Sequence, residues 1–327
     1  MIILIFPDLW RIVSPDPVII GLRKKFRLYA YTKTEIRLQG STSNVCFIRV
    51  GYCRLFFVYL LYIFSGCDRI EKIQQKECVI AMKWFDNVSY GNACFDLCLP
   101  DKMPAPLFLY FHGGGLEAGD KADFRTHAET LASRGIACAT ANYRMYPTAK
   151  FPDYLEDSAA CFAYLKEHAD EFGSFTGYYM GGSSAGGYIC LMLYFDPHYL
   201  GKHGIAPDDL NGYIFDAGQP TTHFNVLRER GLDTRAIRVG EAAPLYFIDH
   251  PIENPLQKSR LLFLAADNDI VCRLEQHRVM LRTMFQLGYS PARVEFKLMS
   301  GYSHCQYDGS PVFADMISEF IRPDSAK

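Results

Sequence analysis

The sequence contains no C-x-x-C pair and no His/Cys grouping at zinc-site spacing, although it carries eleven cysteines. An odd, scattered set of this kind reads as buried thiols in a reducing compartment, with no metal expected. Excess charge is lacking as well: 34 Lys and Arg face 36 Asp and Glu, a net of -2. Neither nucleic acid nor an anionic membrane is expected as a partner. Long apolar runs are missing. The run LFFVYLLYIF at 55–64 has ten residues and is preceded by Arg54 and Arg49, whereas a membrane-spanning helix needs roughly 20 apolar residues. A short hydrophobic hairpin or buried segment is expected there. The opening MIILIFPDLWRIV has no basic n-region and is interrupted by Pro7 and Asp8, so no secretory signal is read and a cytoplasmic location is expected. Internal repeats and low-complexity tracts are absent.

What is present is 327 residues of 49% hydrophobic content, enough for one large domain or two small ones with a sizeable core. Residues 1–81 stand apart from the rest, with basic patches such as LRKKFR and few element boundaries. One reading is that the native protein begins at Met82. From there, strand-length apolar runs alternate with amphipathic stretches of helical length. PLFLYF (106–111), GIACATANY (135–143), TGYYM (176–180), NGYIFDAG (211–218), RLLFLAA (260–266) and RVEFKLM (293–299) read as strands buried on both faces. Helices are expected between and after them, at 122–134, 152–172, 185–195, 273–287 and 311–321. That alternation predicts an α/β fold, a mostly parallel sheet with helices on both faces. Its chemistry belongs on the loops at the carboxyl ends of the strands. Residues 219–257 carry few strand signals and read as a small cap inserted over that edge.

The stretch YYMGGSSAGGYICLMLYF at 178–195 poses a choice between two serines. The elbow motif G-x-S-x-G places a nucleophilic serine on a strained strand-to-helix turn, with glycines two residues to either side because side chains there would clash. Ser183 has Gly181 before it but Ala185 after it, and fails. Ser184 lies between Gly182 and Gly186, and passes. The plainer reading is a glycine-rich turn with a capping serine.

A serine nucleophile needs a base. If the acid and then the His follow it in the chain, His277 and His304 remain. His277 lies within an amphipathic helical stretch and reads as a packing residue. His304, in SGYSHCQYD just after the strand RVEFKLM, suits a base reaching back across the sheet. The loop after RLLFLAA offers two acids. Asp267 is preferred because it leaves the strand first, and Asp269 is the alternative; the other carboxylate would cap loop amides.

LYFHGGGLEAGD adds His112-Gly113-Gly114-Gly115 directly after a strand, with backbone donors suited to a developing oxyanion. HGGG at 112–115, NYRMYP at 142–147, FPDYLEDSAACFAYL at 151–165, GGSSAGG at 181–187 and the two C-terminal loops together resemble the α/β-hydrolase fold. Within it the chain is similar to the hormone-sensitive-lipase-like esterases, over 106 to about 321. The resemblance implies an oxyanion hole from Gly114, Gly115 and the Ala185 amide. Gly113 would shape the turn beside the substrate, and His112 and Asp120 would hold the loop. GQPTTHF at 218–224 would line the pocket, with Thr221 and His223 as substrate-side candidates and simple packing as their other reading. The family usually has G-D-S-A-G, and here Ser183 takes the aspartate's place.

The expected activity is hydrolysis of small, short-acyl carboxylic esters without metal or organic cofactor. A serine peptidase of the same fold is one alternative. A ligand-binding protein that kept the pocket but lost the catalysis is the other. The sequence leaves homo-oligomerisation open.

Overall fold

The computed structural model describes residues 82–249 and 258–322, together with the backbone of five short strands nearer the N-terminus. By internal contacts the chain divides into two units, Met1–Glu77 and Cys78–Lys327. In the first, β1 (Ile19–Leu22), β4 (Cys46–Val50) and β5 (Val58–Leu61) form an antiparallel sheet, and β2 (Leu28–Tyr29) pairs with β3 (Glu35–Ile36). β5 lies inside the apolar run at 55–64, where a hairpin was expected. The reading placed on residues 1–13 falls outside the described residues.

The second unit is built on an eight-stranded sheet. Its strands are β6 (Lys83–Ser89), β7 (Cys94–Leu99), β8 (Ala105–Phe111), β9 (Ala137–Ala141), β10 (Phe175–Ser183), β11 (Gly212–Asp216), β12 (Arg260–Asn268) and β13 (Val294–Ser303). Their order across the sheet is β13-β12-β11-β10-β8-β9-β7-β6. The strands from β13 to β9 pair in parallel, and β7 and β6 close one edge antiparallel. Those two were not foreseen: Lys83–Ser89 alternates exposed and half-buried positions, so it lacks the continuous apolar run that marks the central strands.

The helices are α1 (Arg125–Ser133), α2 (Asp153–Glu167), α3 (Ala169–Phe172), α4 (Ala185–Phe195), α5 (His198–Gly201), α6 (Phe224–Glu229), α7 (Arg273–Gln286) and α8 (Pro311–Ile321). Period-two alternation along the strands sorts the core into two layers. Leu107, Leu109 and Phe111 of β8 join residues of α2, α4 and α7 on one face. Phe108 and Tyr110 turn to the other, against α1 and α8. Every residue of α4 is buried, which explains why its sequence is apolar all round instead of amphipathic. Burial of such side chains is worth roughly 1.5–3 kcal/mol each, and it anchors the turn at the start of α4.

Among the described residues, no helix is long and apolar enough to cross a membrane. The segment expected as a cap is described over 219–249, where α6 and a 3₁₀ turn at Pro244–Phe247 lie among turns. Asn225 of α6 donates through Nδ2 to the Gly115 carbonyl at 2.8 Å. This segment therefore sits on the glycine loop at the carboxyl edge of the sheet.

Candidate active site

Ser184 stands between β10 and α4 with φ 54° and ψ -108°, a conformation that costs a non-glycine residue of order 1–3 kcal/mol. Its surroundings enforce it. A methyl group on Gly186 would lie 1.9 Å from the Phe111 carbonyl oxygen, and one on Gly182 would lie 2.6 Å from the same atom. Only glycine at both positions lets β8 pass this close to the turn. The Ser184 amide is fixed by the Asp216 carbonyl at 2.8 Å.

His304 lies in the turn after β13 and bridges two groups. Its Nε2 is 2.8 Å from Ser184 Oγ, and its Nδ1 is 2.6 Å from Asp269 Oδ1. A carboxylate only accepts, so Nδ1 carries the proton and Nε2 is left to accept from the serine hydroxyl. The Asp269 side chain is 1% exposed. Burial works against its ionisation, but the hydrogen bond and charge of His304, the Ile270 amide and Arg273 together hold its carboxyl below the ordinary aspartate range.

The preference for Asp267 is corrected. β12 runs on to Asn268, with a register shift against β13 between Ala266 and Asn268. Asp267 is therefore still within the strand. Its carboxylate accepts from the Gly301 amide of β13 at 2.8 and 3.0 Å. Asp269, the first residue past the strand end, is the one that reaches His304.

The glycine loop is folded on its own bonds. The Gly114 carbonyl accepts from Glu117 and Ala118, the His112 Nδ1–H donates to the Gly113 carbonyl at 2.7 Å, and His112 stacks on Tyr143. Gly114 has φ +107°, and a methyl there would meet the Ala118 carbonyl at 2.0 Å. Gly113 lies against the nucleophile, since a methyl on it would be 3.5 Å from Ser184 Cβ. The carbonyls of Gly113 and Gly114 are engaged in this way. The amides of Gly114, Gly115 and Ala185 have no backbone acceptor among the described residues, as the first turn of a helix leaves its donors. Asp120 caps the following 3₁₀ turn and accepts from Asn142.

Thr221 and His223 are 2% and 1% exposed, and the expectation that they face a substrate is corrected. Thr221 bonds Gln219 and Gln276, and His223 Nδ1 accepts from the Asn225 amide while its ring packs on Tyr188 and Phe224. Their polar atoms are engaged by their own turn and, for Thr221, by α7. Asn225, which the sequence reading missed, bonds the glycine loop, and Phe224 and Arg228 of the same segment meet it at Gly115 and Glu117.

His277 is fully buried, with Nε2 donating to the Gly218 carbonyl at 2.7 Å. Burial, aided by Arg273, pushes its imidazole down to about 4. Below about pH 6.5 the unfolded chain takes up a proton that the folded one refuses, so the stability present above that pH is lost as pH falls toward 4. His277→Gln keeps a donor for Gly218. It is expected to remove up to about 3 kcal/mol of that acid-side fall, read from denaturant unfolding at each pH.

Residues 95–198 match the family model described as BD-FAE. The chain is 33% identical over 99 residues to Esterase LipI of Mycobacterium tuberculosis, a match covering 29% of this chain and 30% of that protein. With the Carboxylic ester hydrolase LipN of the same organism it shares 39% over 94 residues, covering 27% and 24%. The chain thus spans less than a third of the length of these curated relatives. A thermophilic esterase from Thermogutta terrifontis, Est2, superimposes with a TM-score of 0.56 at 21% identity over 75% of this chain and 94% of that one. The chain has the α/β-hydrolase fold, and the relatives it matches bear the names of esterases.

Proposed function

We propose that this chain is a serine carboxylic-ester hydrolase in which Ser184 is the nucleophile, His304 the base and Asp269 the residue that orients the base. The observation that carries this reading is the unbroken line Asp269 Oδ1, His304, Ser184 Oγ, with steps of 2.6 and 2.8 Å. His304 Nε2 takes the hydroxyl proton as Ser184 Oγ attacks the ester carbonyl, and Asp269 stabilises the imidazolium that forms. Negative charge on the carbonyl oxygen falls to the amides of Gly114, Gly115 and Ala185, each worth roughly 3 kcal/mol in the transition state. The alcohol departs with the proton from His304. Water deprotonated by the same nitrogen then releases the acid and restores Ser184. No metal or organic cofactor takes part in these steps.

Short acyl chains fit best. The sequence has no large apolar insertion of the kind an interfacial lipase uses, and the Phe224 ring closes the space at Gly115, where a methyl would lie 3.0 Å from its Cζ. We place the chemistry in the part of the chain from residue 82 onward, with 219–249 over the site. Free thiols at all seven described cysteines favour a cytoplasmic setting.

A p-nitrophenyl ester series from acetate to palmitate tests the reading. Turnover should be greatest on acetate to butyrate and fall at least about tenfold by palmitate, the scale on which a site separates ligands that differ by methylenes. Absence of turnover at every chain length would remove the hydrolase reading, and a maximum at palmitate would remove the short-acyl part of it.

A further inference from the structure

Behind Ser184, on the sheet face covered by α1 and α8, lies a buried polar group that the triad chemistry leaves unused. Asp216 ends β11 and is fully buried. Its backbone carbonyl holds the Ser184 amide at 2.8 Å, and its Oδ1 accepts from the Tyr307 hydroxyl. Asp308, next after Tyr307, turns its carboxyl into the same enclosure. Carboxylate oxygens of Asp216 and Asp308 and the Cys305 sulfur lie within 4.8 Å of one another. Asp216 Oδ2 and Asp308 Oδ1 are both sealed from solvent, and neither meets a donor.

Two ionised carboxylates in such a space would leave two orphaned oxygens and an uncompensated like-charge contact. The groups facing them offer no cation to relieve it. Tyr110 of β8 gives its hydroxyl to Ser183 Oγ at 2.9 Å, which leaves the Ser183 hydrogen for the pair. His127 of α1 meets the Asp308 backbone carbonyl instead of its carboxyl. Arg273 at the start of α7 is engaged by the Ala217 carbonyl and by Gln219. Asp269 is held by His304, and burial keeps the Cys305 thiol protonated. A single proton between Asp216 Oδ2 and Asp308 Oδ1 satisfies both oxygens at once.

We propose that Asp216 and Asp308 share one proton at neutral pH and that the pair positions His304 against Ser184. The positioning half of the proposal rests on the ester-hydrolase reading. Asp216 is tied through its main chain to the nucleophile and through its side chain to Tyr307, three residues beyond the base. Asp216 thus links the turn that carries Ser184 to the turn that carries His304. Burial and the facing carboxylate raise the step at which the second proton leaves. Once it leaves, two buried charges repel, the turn at 304–308 shifts, and kcat falls while KM holds. Ser183, whose Oγ accepts from Tyr110, belongs to this group; an aspartate there would add a third carboxyl.

The test is kcat and KM on a short p-nitrophenyl ester from about pH 6 to about pH 10, with an infrared difference spectrum between the parent and Asp308→Asn at neutral pH and the metal content of the dialysed parent. The expected parent loses kcat at alkaline pH at steady KM and shows a protonated-carboxyl band that Asp308→Asn lacks. Asp308→Ala should lower kcat by about tenfold to a hundredfold, the scale of a misplaced catalytic group. Asp308→Asn, whose amide donates in place of the proton, should recover most of that loss and abolish the alkaline fall. An alkaline fall unchanged in Asp308→Asn would overturn the positioning role. Absence of the carboxyl band would overturn the shared proton, as would one equivalent of divalent metal present in the parent and gone from Asp308→Asn. A band present in a protein that turns over no ester would uphold the shared proton and remove the hydrolase reading instead.

Discussion

Ser184→Ala is expected to lower turnover of short p-nitrophenyl esters by about 10⁶-fold, the scale reached when a serine nucleophile acting as one unit with its base is lost. The residue left behind still has its glycine amides, so a background of 10³–10⁴ over water is expected to persist. Folding should be undisturbed. The φ of 54° at Ser184 is imposed by Gly182 and Gly186 packing on the Phe111 carbonyl, and alanine adds no atom to that packing. Thermal unfolding of the two proteins should therefore coincide. Equal turnover by the variant would place the nucleophile elsewhere in the chain.

The carboxylates give the second large effect. Asp269→Asn should cost about 10³–10⁴ in kcat, because an amide at that position no longer fixes the His304 tautomer that accepts from serine. Asp267→Asn should cost less than about threefold. Its carboxylate is exposed near the end of β12 and holds only the Gly301 amide and Asn268, a contact of ordinary worth. Equal and mild losses in both variants would mean that the orienting acid lies elsewhere.

The two aspartates also mark where the sequence stops being informative. Glycine spacing singled out Ser184 because a strained turn beside a passing strand excludes every other residue at Gly182 and Gly186, and that constraint is written locally. The helix at 185–195 and the helix at 311–321 were readable for a similar reason, since their apolar content and flanking turns are continuous in the chain. Which acid reaches His304 is not local. Asp267 and Asp269 share the same strand parity, and the choice depends on how far β13 extends β12 and where the register shifts. β6 escaped because a half-exposed edge strand has no run of apolar residues to announce it, and β7 because Asp96 interrupts its apolar run. Thr221 and His223 were expected at the substrate, but burial, a bond from Thr221 to α7 and a bond from Asn225 to His223 decide otherwise. Asp216 could have been noticed: a carboxylate ending the apolar strand YIFDAG is rarely buried without a purpose. Its partners at Tyr307 and Asp308 come from 90 residues away in the chain, and only the fold brings them together.

The central claim is that Ser184 is the activated nucleophile, and covalent labelling tests it most directly. Diethyl p-nitrophenyl phosphate offers a phosphorus centre that Ser184 Oγ attacks with loss of p-nitrophenolate and that water regenerates slowly. One diethylphosphoryl group per chain is expected, located by peptide mass at Ser184, with ester hydrolysis lost in step with labelling. Labelling at Ser183 or at any other residue, or ester hydrolysis undiminished in fully labelled protein, would contradict it.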